Sequence, residues 1–268
     1  MLGVSKAGYF GWRHRRESHR SGEDRALTTR IQVIHSESRK TYGSPRVHRE
    51  LRGQGTSVSR KRVERLMRDA GVRVKPQARF VATTDSDHDL PIAPNLLQQD
   101  FSAAAPDRRW VTDITYVPTG EGWLYVAAIV DLFSRRVVGW AMQERMDRSL
   151  VLAALAMAVK QRRPDAGLIH HSDRGSQYAS DDYRTALVDH GMIASMSRRA
   201  CCYDNAAMES FWHTLKVELI HRHRFQTRAE AIQAIFEFIE VFYNRVRRHS
   251  SIGYVSPVEF ERQHSAVA

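Results

Sequence analysis

The chain has 268 residues, of which 42% are hydrophobic, a formal net charge of +11 and two adjacent cysteines, Cys201 and Cys202. This size and composition predict a large globular domain with a smaller one and argue against disorder. The sequence shows no apolar run long enough to span a membrane, no secretion signal and no disulfide framework, so we expect a protein of the reducing cytoplasm.

The positive charge is concentrated in the first third of the chain. Residues 1–80 carry 20 Lys and Arg against 7 Asp and Glu, whereas residues 81–268 carry 21 against 23. A solvated basic surface is one explanation. A nucleic-acid-binding N-terminal region followed by a near-neutral domain fits the asymmetry better.

The first 75 residues read as basic helices. Ser5 is a candidate cap for a short helix, and a second helix is predicted over 25–40. Ser44 and Pro45 suit the start of a third, and a fourth is predicted from Ser59 to Ala70 with Gly71 as its stop. A short helix, a glycine turn and a basic helix are typical of a helix-turn-helix. The predicted DNA contacts on that last helix are Arg60, Lys61, Arg65 and Arg68.

A larger domain is predicted after a proline-containing linker at residues 76–99. Strands are expected at 109–117, 122–131, 135–143, 167–171 and 192–197, with helices near 148–162, 180–190 and from Glu209. Their order predicts a mixed sheet flanked by helices, an α/β domain over residues 100–265.

Three acidic residues stand out by their local settings. Asp113 is the acid of an apolar, β-branched strand, and Asp173 follows another apolar strand. Glu209 opens an amphipathic helix, with 35 residues between it and Asp173. Carboxylates at strand ends and on a helix can converge in space. Their shared negative charge and hard oxygen atoms suit Mg²⁺, and two such ions catalyse phosphodiester chemistry. Each acid also has a purely structural alternative. Asp113 could be a solvent-facing charge on an edge strand, Asp173 could form an Asx turn, and Glu209 could be an acid at a helix N-terminus.

Two other acids, Asp131 and Asp204, are alternatives to these three. Asp131 ends a strand before a hairpin, and we expect it to bond backbone there rather than to bind metal. Asp204 is a candidate cap for the helix that carries Glu209, and Asn205 lies one turn before that glutamate, where it could orient it.

The histidines and cysteines lack the spacing of a zinc site. His170 and His171 are adjacent, as are Cys201 and Cys202, whereas zinc sites use spaced pairs. We expect one of the two histidines to pack into the sheet and the other to approach a phosphate.

Basic residues near the C-terminus are further DNA-binding candidates. Lys216 lies two helical turns after Glu209 on the same face, where a cation can hold a phosphate, although a solvent-facing lysine is the alternative. Arg247 and Arg248 belong to a basic cluster after a helix predicted over 228–243.

Four ordered motifs carry a resemblance to a known family. They are W-V-T-D-I-T-Y at 110–116, H-S-D-R-G-S-Q-Y at 171–178, Y-D-N-A-A-M-E-S-F-W-H-T-L-K at 203–216 and F-Y-N-R-V-R-R-H-S-S at 242–251. The chain resembles the DDE transposases of bacterial insertion sequences, specifically the second-frame proteins of the insertion-sequence-three family, relatives of retroviral integrases. The resemblance runs from about Leu27 to about Phe260.

The resemblance implies a ribonuclease-H-like core that cuts DNA and transfers the cut strand during transposition. It assigns metal binding to Asp113, Asp173 and Glu209, with two Mg²⁺ ions that Mn²⁺ can replace. Its partners would be duplex DNA at element ends and target, further copies of the chain on that DNA, and an upstream-frame protein that is fused or separate. It would act on the bacterial nucleoid.

One departure from the family pattern keeps alternatives open. Where the family usually has Gly-Asn-Cys-Tyr-Asp-Asn, this chain has Ala200, Cys201, Cys202, Tyr203, Asp204 and Asn205. A nuclease without strand transfer is one alternative, and a DNA-binding regulator with an impaired catalytic domain is another.

Overall fold

The protein is described from a computed structural model that covers residues 3, 5–14, 18–74, 90–199 and 201–265. The chain divides into two compact units, residues 1–76 and 77–268. Across the described ranges, no helix combines the length and the apolar character that crossing a membrane requires.

The first unit is entirely helical among its described residues. Its helices are α1 (Lys6–Arg13), α2 (His19–Glu37), α3 (Ser44–Gly53) and α4 (Arg60–Asp69). The Ser5 hydroxyl caps α1, as the sequence predicts, and the Ser59 hydroxyl caps α4. Helix α3 differs slightly, because Gly43 occupies the cap position and Ser44 is already helical.

Helices α2, α3 and α4 share one apolar core, whereas α1 buries none of its residues. The buried core side chains of this unit are Leu27, Ile31, Ile34, Tyr42, Val47, Leu51, Val63, Leu66 and Met67. Three of them lie on α4 at the helical spacing seen in the sequence, so the basic residues of α4 are left toward the outside.

The second unit is built on a mixed five-stranded sheet. Its strands are β1 (Arg109–Thr119), β2 (Gly122–Asp131), β3 (Val137–Gln143), β4 (Ile169–Ser172) and β5 (Ile193–Met196), and their order is β3-β2-β1-β4-β5. Strands β1, β2 and β3 pair antiparallel, and β4 and β5 extend the sheet in parallel with β1. The predicted α/β class, a mixed sheet flanked by helices, is confirmed.

Helices cover both faces of this sheet. They are α5 (Arg148–Arg162), α6 (Ser176–Ala179), α7 (Asp181–Asp189), α8 (Ala206–Glu218), α9 (Arg228–Phe236) and α10 (Pro257–Ser265). Helix α9 continues as a π-helical stretch over Glu237–Tyr243, so the helix predicted over 228–243 changes its winding halfway. One core lies between the sheet and α8 and α9, and the other lies between the sheet and α5 and α7.

Asp131 fastens the hairpin between β2 and β3. Its buried carboxylate accepts hydrogen bonds from the backbone N–H groups of Asp107, Phe133 and Ser134 at 2.7, 2.9 and 3.0 Å. With these donors in place, Asp131 holds local backbone, as the sequence predicts.

Gly139 marks the closest approach of strand β3 to helix α5. A Cβ at this position would overlap the backbone carbonyl of Ala154 and lie 2.7 Å from the Cβ of Ala158. Neither obstacle is the end of a flexible side chain, so a larger residue must push the helix away from the sheet.

We therefore expect Gly139→Ala to lower the free energy of unfolding by about 1–3 kcal/mol, the usual penalty of overpacking a close contact. Thermal unfolding of the full chain measures it. Gly22→Ala is the matched control, because no atom lies within 4 Å of the added methyl group and alanine favours a helix. Equal melting curves for Gly139→Ala and wild type would show that α5 can move without penalty.

Candidate active site

The centre of the candidate site is the point where strands β1 and β4 stop pairing. Val111 is aligned with His171 in this parallel ladder, and the pairing ends there. Asp113 and Asp173 each lie two residues further along, Asp113 still on β1 and Asp173 directly after the end of β4, so the two acids are at equivalent levels. Carboxyl ends of parallel strands form clefts of this kind in α/β sheets.

Two N–H groups hold the Asp113 carboxylate. The Ile114 backbone N–H donates to Oδ1 at 2.8 Å, and Trp212 Nε1 donates to Oδ2 at 3.0 Å. Trp212 is a buried residue of α8, and it ties that helix to the strand that carries Asp113. The sequence prediction missed this contact, although Trp212 follows Glu209 by three residues and so shares its helical face.

Asp173 and Glu209 approach from two other elements. The Asp173 Oδ1 atom accepts the Gly175 backbone N–H at 2.9 Å, which fixes the turn between β4 and α6. Glu209 stands in the first turn of α8, directly after a 3₁₀ turn over Cys202–Asn205. Strand, turn and helix thus bring the three predicted acids into one region.

The electrostatics of this region are those of crowded negative charge. Burial raises the pKa of the Asp113 carboxyl well above its usual range, and the charges of Asp173 and, more weakly, Glu209 raise that pKa further. Burial also raises the pKa of Glu209. A bound cation would relieve this repulsion, and carboxylate oxygens are the ligands that Mg²⁺ prefers.

The donor set therefore fits a divalent metal in charge and chemistry. Among the residues that the structure describes, no three His, Cys, Asp or Glu side chains form a ready metal-binding cluster.

Lys216 lies at the edge of the site. Burial lowers the pKa of its ammonium group, and the negative charge of Asp113 opposes part of that shift. Its Nζ atom is 5.3 Å from the centre of the Tyr116 ring, within cation–π distance. The ammonium is thus half-buried beside the acids rather than extended into solvent.

Asp204 does not cap helix α8, contrary to our hypothesis. Its fully buried carboxylate binds the Arg198 guanidinium at 2.9 and 3.0 Å, and Asn95 and Gln99 also donate to it. The Arg198 hydrogen bonds hold the pKa of Asp204 well below its usual range. Asn205 takes the cap position without a side-chain hydrogen bond, and no described residue donates to its buried Oδ1 atom.

Both histidines before Asp173 are interior residues. His170 Nε2 lies 2.7 Å from the Tyr183 hydroxyl, and His171 Nδ1 lies 2.8 Å from the Ser195 hydroxyl. Burial lowers the pKa of His170 to about 3 and that of His171 to about 4, so both are neutral at pH 7. The expectation that one of them approaches a phosphate is therefore wrong, because neither ring reaches the surface.

The departure at Ala200 falls outside the described residues. Its neighbour Cys201 is half-buried and is a free cysteine. Its Sγ atom lies 3.7 Å from Gln99 Nε2 and 3.6 Å from Arg198 Nη2, so the cysteine adjoins the polar network around Asp204.

In the first unit, the basic residues of α4 fall into two groups. Arg60, Lys61 and Arg68 are exposed. Arg65 binds Asp24 of α2 at 2.6 Å, and Arg62 binds Asp24 and Glu23 at 2.7 and 3.0 Å. The predicted contact Arg65 is thus already engaged in holding α4 against α2.

Arg247 is buried, so the prediction that it contacts DNA is wrong for this structure. Only 4% of its surface is exposed, and its guanidinium binds both carboxylate oxygens of Glu218 at 2.7 and 2.8 Å. A buried, bidentate arginine cannot reach a DNA phosphate in this structure. Arg248 is half-buried and donates to the Tyr254 carbonyl at 2.7 Å, so it too supports the local chain.

Comparison with protein families and known proteins adds independent observations. A family model described as "Integrase core domain" matches residues 103–202, a second of the same description matches residues 209–264, and an "HTH-like domain" matches residues 22–80. These matches take in both units, including the segments that carry Asp113, Asp173 and Glu209.

Similar proteins span almost the whole chain. The "Insertion element IS600 uncharacterized 31 kDa protein" of Shigella sonnei is 49% identical over 268 residues, which is 100% of this chain and 98% of that protein. The "Transposase InsF for insertion sequence IS3A" of Escherichia coli K12 is 42% identical, covering 99% of this chain and 93% of that protein.

A solved structure shares the fold at low sequence identity. A chain of the simian T-cell lymphotropic virus intasome, solved in complex with PP2A regulatory subunit B56 gamma, matches with a TM-score of 0.51 and 13% identity. The match covers 86% of this chain and 74% of that chain.

The Arg247–Glu218 pair generates a test that separates support of the fold from DNA contact. Arg247→Met should destabilise the protein by about 3 kcal/mol, because it leaves the Glu218 carboxylate buried without its partner. Combining it with Glu218→Leu should restore most of that loss, since no unpaired charge remains. Chemical denaturation of the four proteins gives the coupling. If Arg247→Met had the denaturation curve of wild type and its DNA binding depended less on salt, Arg247 would be a DNA contact after all.

Proposed function

The chain belongs to the IS3 family of insertion-sequence transposases, and we propose that it cuts and joins DNA at a divalent-metal site formed by Asp113, Asp173 and Glu209. The observation that carries this proposal is the equivalent placement of Asp113 and Asp173 where β1 and β4 part, with Glu209 brought to them by α8. The ions would be Mg²⁺, or Mn²⁺ in its place, with two per site.

The chain's own residues have distinct tasks in this proposal. The three carboxylates would hold the metal, and Trp212 and the Ile114 N–H fix the Asp113 carboxylate that would be one of its ligands. Bound there, the metal would supply activation of a water or a 3′-hydroxyl group for attack at phosphorus and stabilisation of the leaving oxygen. No serine or tyrosine nucleophile is required. Lys216, half-buried beside Asp113, positions a DNA phosphate near the reacting bond.

We assign DNA recognition to residues 1–75 and catalysis to residues 100–265, with residues 76–99 as the linker. The strong positive charge of the first 80 residues supports this division of labour. Arg60, Lys61 and Arg68 are the cations of α4 that remain exposed for the DNA backbone. The substrates would be duplex DNA at the element ends and the target, within the bacterial nucleoid.

Pairing two element ends calls for more than one copy of the chain on DNA, so we propose a homo-oligomer in that complex. The family resemblance also points to an upstream-frame protein, fused or separate, as a partner. Neither partner alters the assignment of the three carboxylates.

The first test replaces each acid with its isosteric amide. Asp113→Asn, Asp173→Asn and Glu209→Gln should each reduce Mg²⁺-dependent nicking of element-end DNA to background, since each removes a ligand charge while keeping the shape. Binding of the same DNA should persist in all three. The matched control is Asp189→Asn, which changes an exposed acid at the end of α7. Nicking at the wild-type rate by any one of the three variants would remove that residue from the site.

The second test concerns the exposed cations of α4. Replacing Arg60, Lys61 and Arg68 together with alanine should flatten the dependence of log K on log salt by about 0.9 for each lost phosphate contact. Arg62→Ala is the control in the same helix, because its guanidinium already binds Glu23 and Asp24. It should lower the melting temperature and leave the slope nearly unchanged. An unchanged slope in the triple variant together with a flatter slope in Arg62→Ala would show that Arg60, Lys61 and Arg68 are not the DNA contacts.

A further inference from the structure

An aromatic surface emerges at the open end of the β1–β2 ladder. Tyr116 is aligned with Tyr125, and Pro118 with Trp123, so Tyr116, Trp123 and Tyr125 share one face of the sheet. We call these three residues the aromatic shelf. Further along the same face, Ala127 and Ile129 are fully buried in the core beneath α5, whereas half of the Trp123 surface is exposed.

The shelf is an ordered surface rather than a set of independent side chains. The Trp123 and Tyr116 rings meet edge to face, with centroids 4.8 Å apart and an interplanar angle of 82°. The turn that presents Trp123 is also fixed, because the Gly120 N–H donates to the Phe225 carbonyl at 3.0 Å and Arg228 Nε donates to the Trp123 carbonyl at 3.2 Å. An exposed tryptophan in such a fixed setting is available for stacking without further ordering.

A cation connects the shelf to the candidate active site. Lys216 Nζ lies 5.3 Å from the Tyr116 ring centre, and the same ammonium group interacts electrostatically with Asp113. Tyr116 follows Asp113 by three residues of an extended strand, roughly 10 Å, and its side chain points to the opposite face of the sheet. Lys216, which comes from the α8 side, is the group that reaches the Tyr116 ring. Arg228 is a second cation nearby, but Glu121 accepts its backbone N–H and Glu144 faces its guanidinium at 3.6 Å. Lys216 lies over a ring of the shelf, so a phosphate that enters beside Tyr116 meets its ammonium group.

We propose that the aromatic shelf stacks an unpaired base of the DNA strand that is cut or joined, while Lys216 holds the adjoining phosphate. This inference rests on the proposed function and deepens it by adding a binding site for single-stranded DNA. Bases stack on aromatic side chains whatever their identity, and a cation beside the ring suits the backbone that connects them. Cutting a duplex end produces or exposes such unpaired nucleotides near the three carboxylates.

The occupant is chosen by charge and position. A single strand supplies both a planar base for Trp123 and a phosphate for Lys216, whereas an apolar protein segment would match the rings alone.

The test measures binding of the full chain to fluorescently labelled DNA in EDTA, where no cutting occurs. One duplex carries a short unpaired 3′ tail, a second is blunt, and a third carries a tail whose bases are replaced by abasic sites. Trp123→Leu, Trp123→Phe and the control Phe236→Leu are compared with wild type. Phe236 is a similarly exposed aromatic residue of α9, at 47%.

We expect wild type to bind the tailed duplex about tenfold more tightly than the blunt one, a factor within the range of one base–aromatic stack. Trp123→Leu should lose that preference and keep its affinity for the blunt duplex, Trp123→Phe should retain part of it, and Phe236→Leu should retain all of it. The abasic tail should abolish the advantage in wild type and make Trp123→Leu indistinguishable from it.

Three outcomes would overturn the inference: equal binding of tailed and blunt duplexes by wild type, equal binding of abasic and normal tails, or the same loss on all DNAs in Trp123→Leu. The wild-type comparison needs no variant, so a poorly folded Trp123→Leu does not remove the test. Nicking by Asp113→Asn in Mg²⁺ bears on the proposed function alone, and tail preference in EDTA bears on the shelf alone.

Discussion

The accumulation of negative charge between strands β1 and β4 is the constraint on which the rest of the second unit depends. Burial removes water from the Asp113 carboxylate and raises its pKa, and the charges of Asp173 and Glu209 raise that pKa further. Such a group is unfavourable for folding by itself, because a buried charge without a partner loses its hydration. The fold must therefore hold these acids by contacts that do not neutralise them, and the N–H groups of Ile114, Trp212 and Gly175 are contacts of that kind.

Helix α8 transmits this arrangement to the remainder of the domain. Glu209, Trp212 and Lys216 lie at successive turns on the face that meets β1, while its buried C-terminal residue Glu218 is held by Arg247. A residue of the last segment therefore anchors the helix that carries two proposed functional groups. A comparable role belongs to Glu261 of α10, which binds Arg162 and Arg136 and so fixes the C-terminal helix against α5 and the β2–β3 hairpin.

The sequence predicts the parts of this design that depend on local pattern. Alternating apolar residues place Asp113 on a strand, and a short apolar run ending at Ser172 places Asp173 at the end of another, so the main elements and their order along the chain follow. Ion pairs between residues that are far apart in the sequence leave no such local pattern. Arg247 looks like one member of an exposed basic cluster until its partner Glu218, 29 residues earlier, is seen beside it. Arg65 and Asp24 are 41 residues apart, and no local signal distinguishes Arg65 from the exposed Arg68 on the same helix.

Charge also explains why the two units need one another in the proposed reaction. Residues 81–268 have nearly balanced charge, and the acids at their centre repel a phosphate backbone until a cation is bound. Affinity for DNA in that unit is consequently weakest where chemistry must occur. A basic first unit can supply sequence-independent attraction, which raises the local concentration of DNA without placing cations that would neutralise the carboxylates. Lys216 is compatible with this separation because its half-buried ammonium group lies against the Tyr116 ring as well as near Asp113. In the proposed reaction, attraction of DNA by the basic first unit and chemistry at the acids of the second unit are thus kept electrostatically distinct.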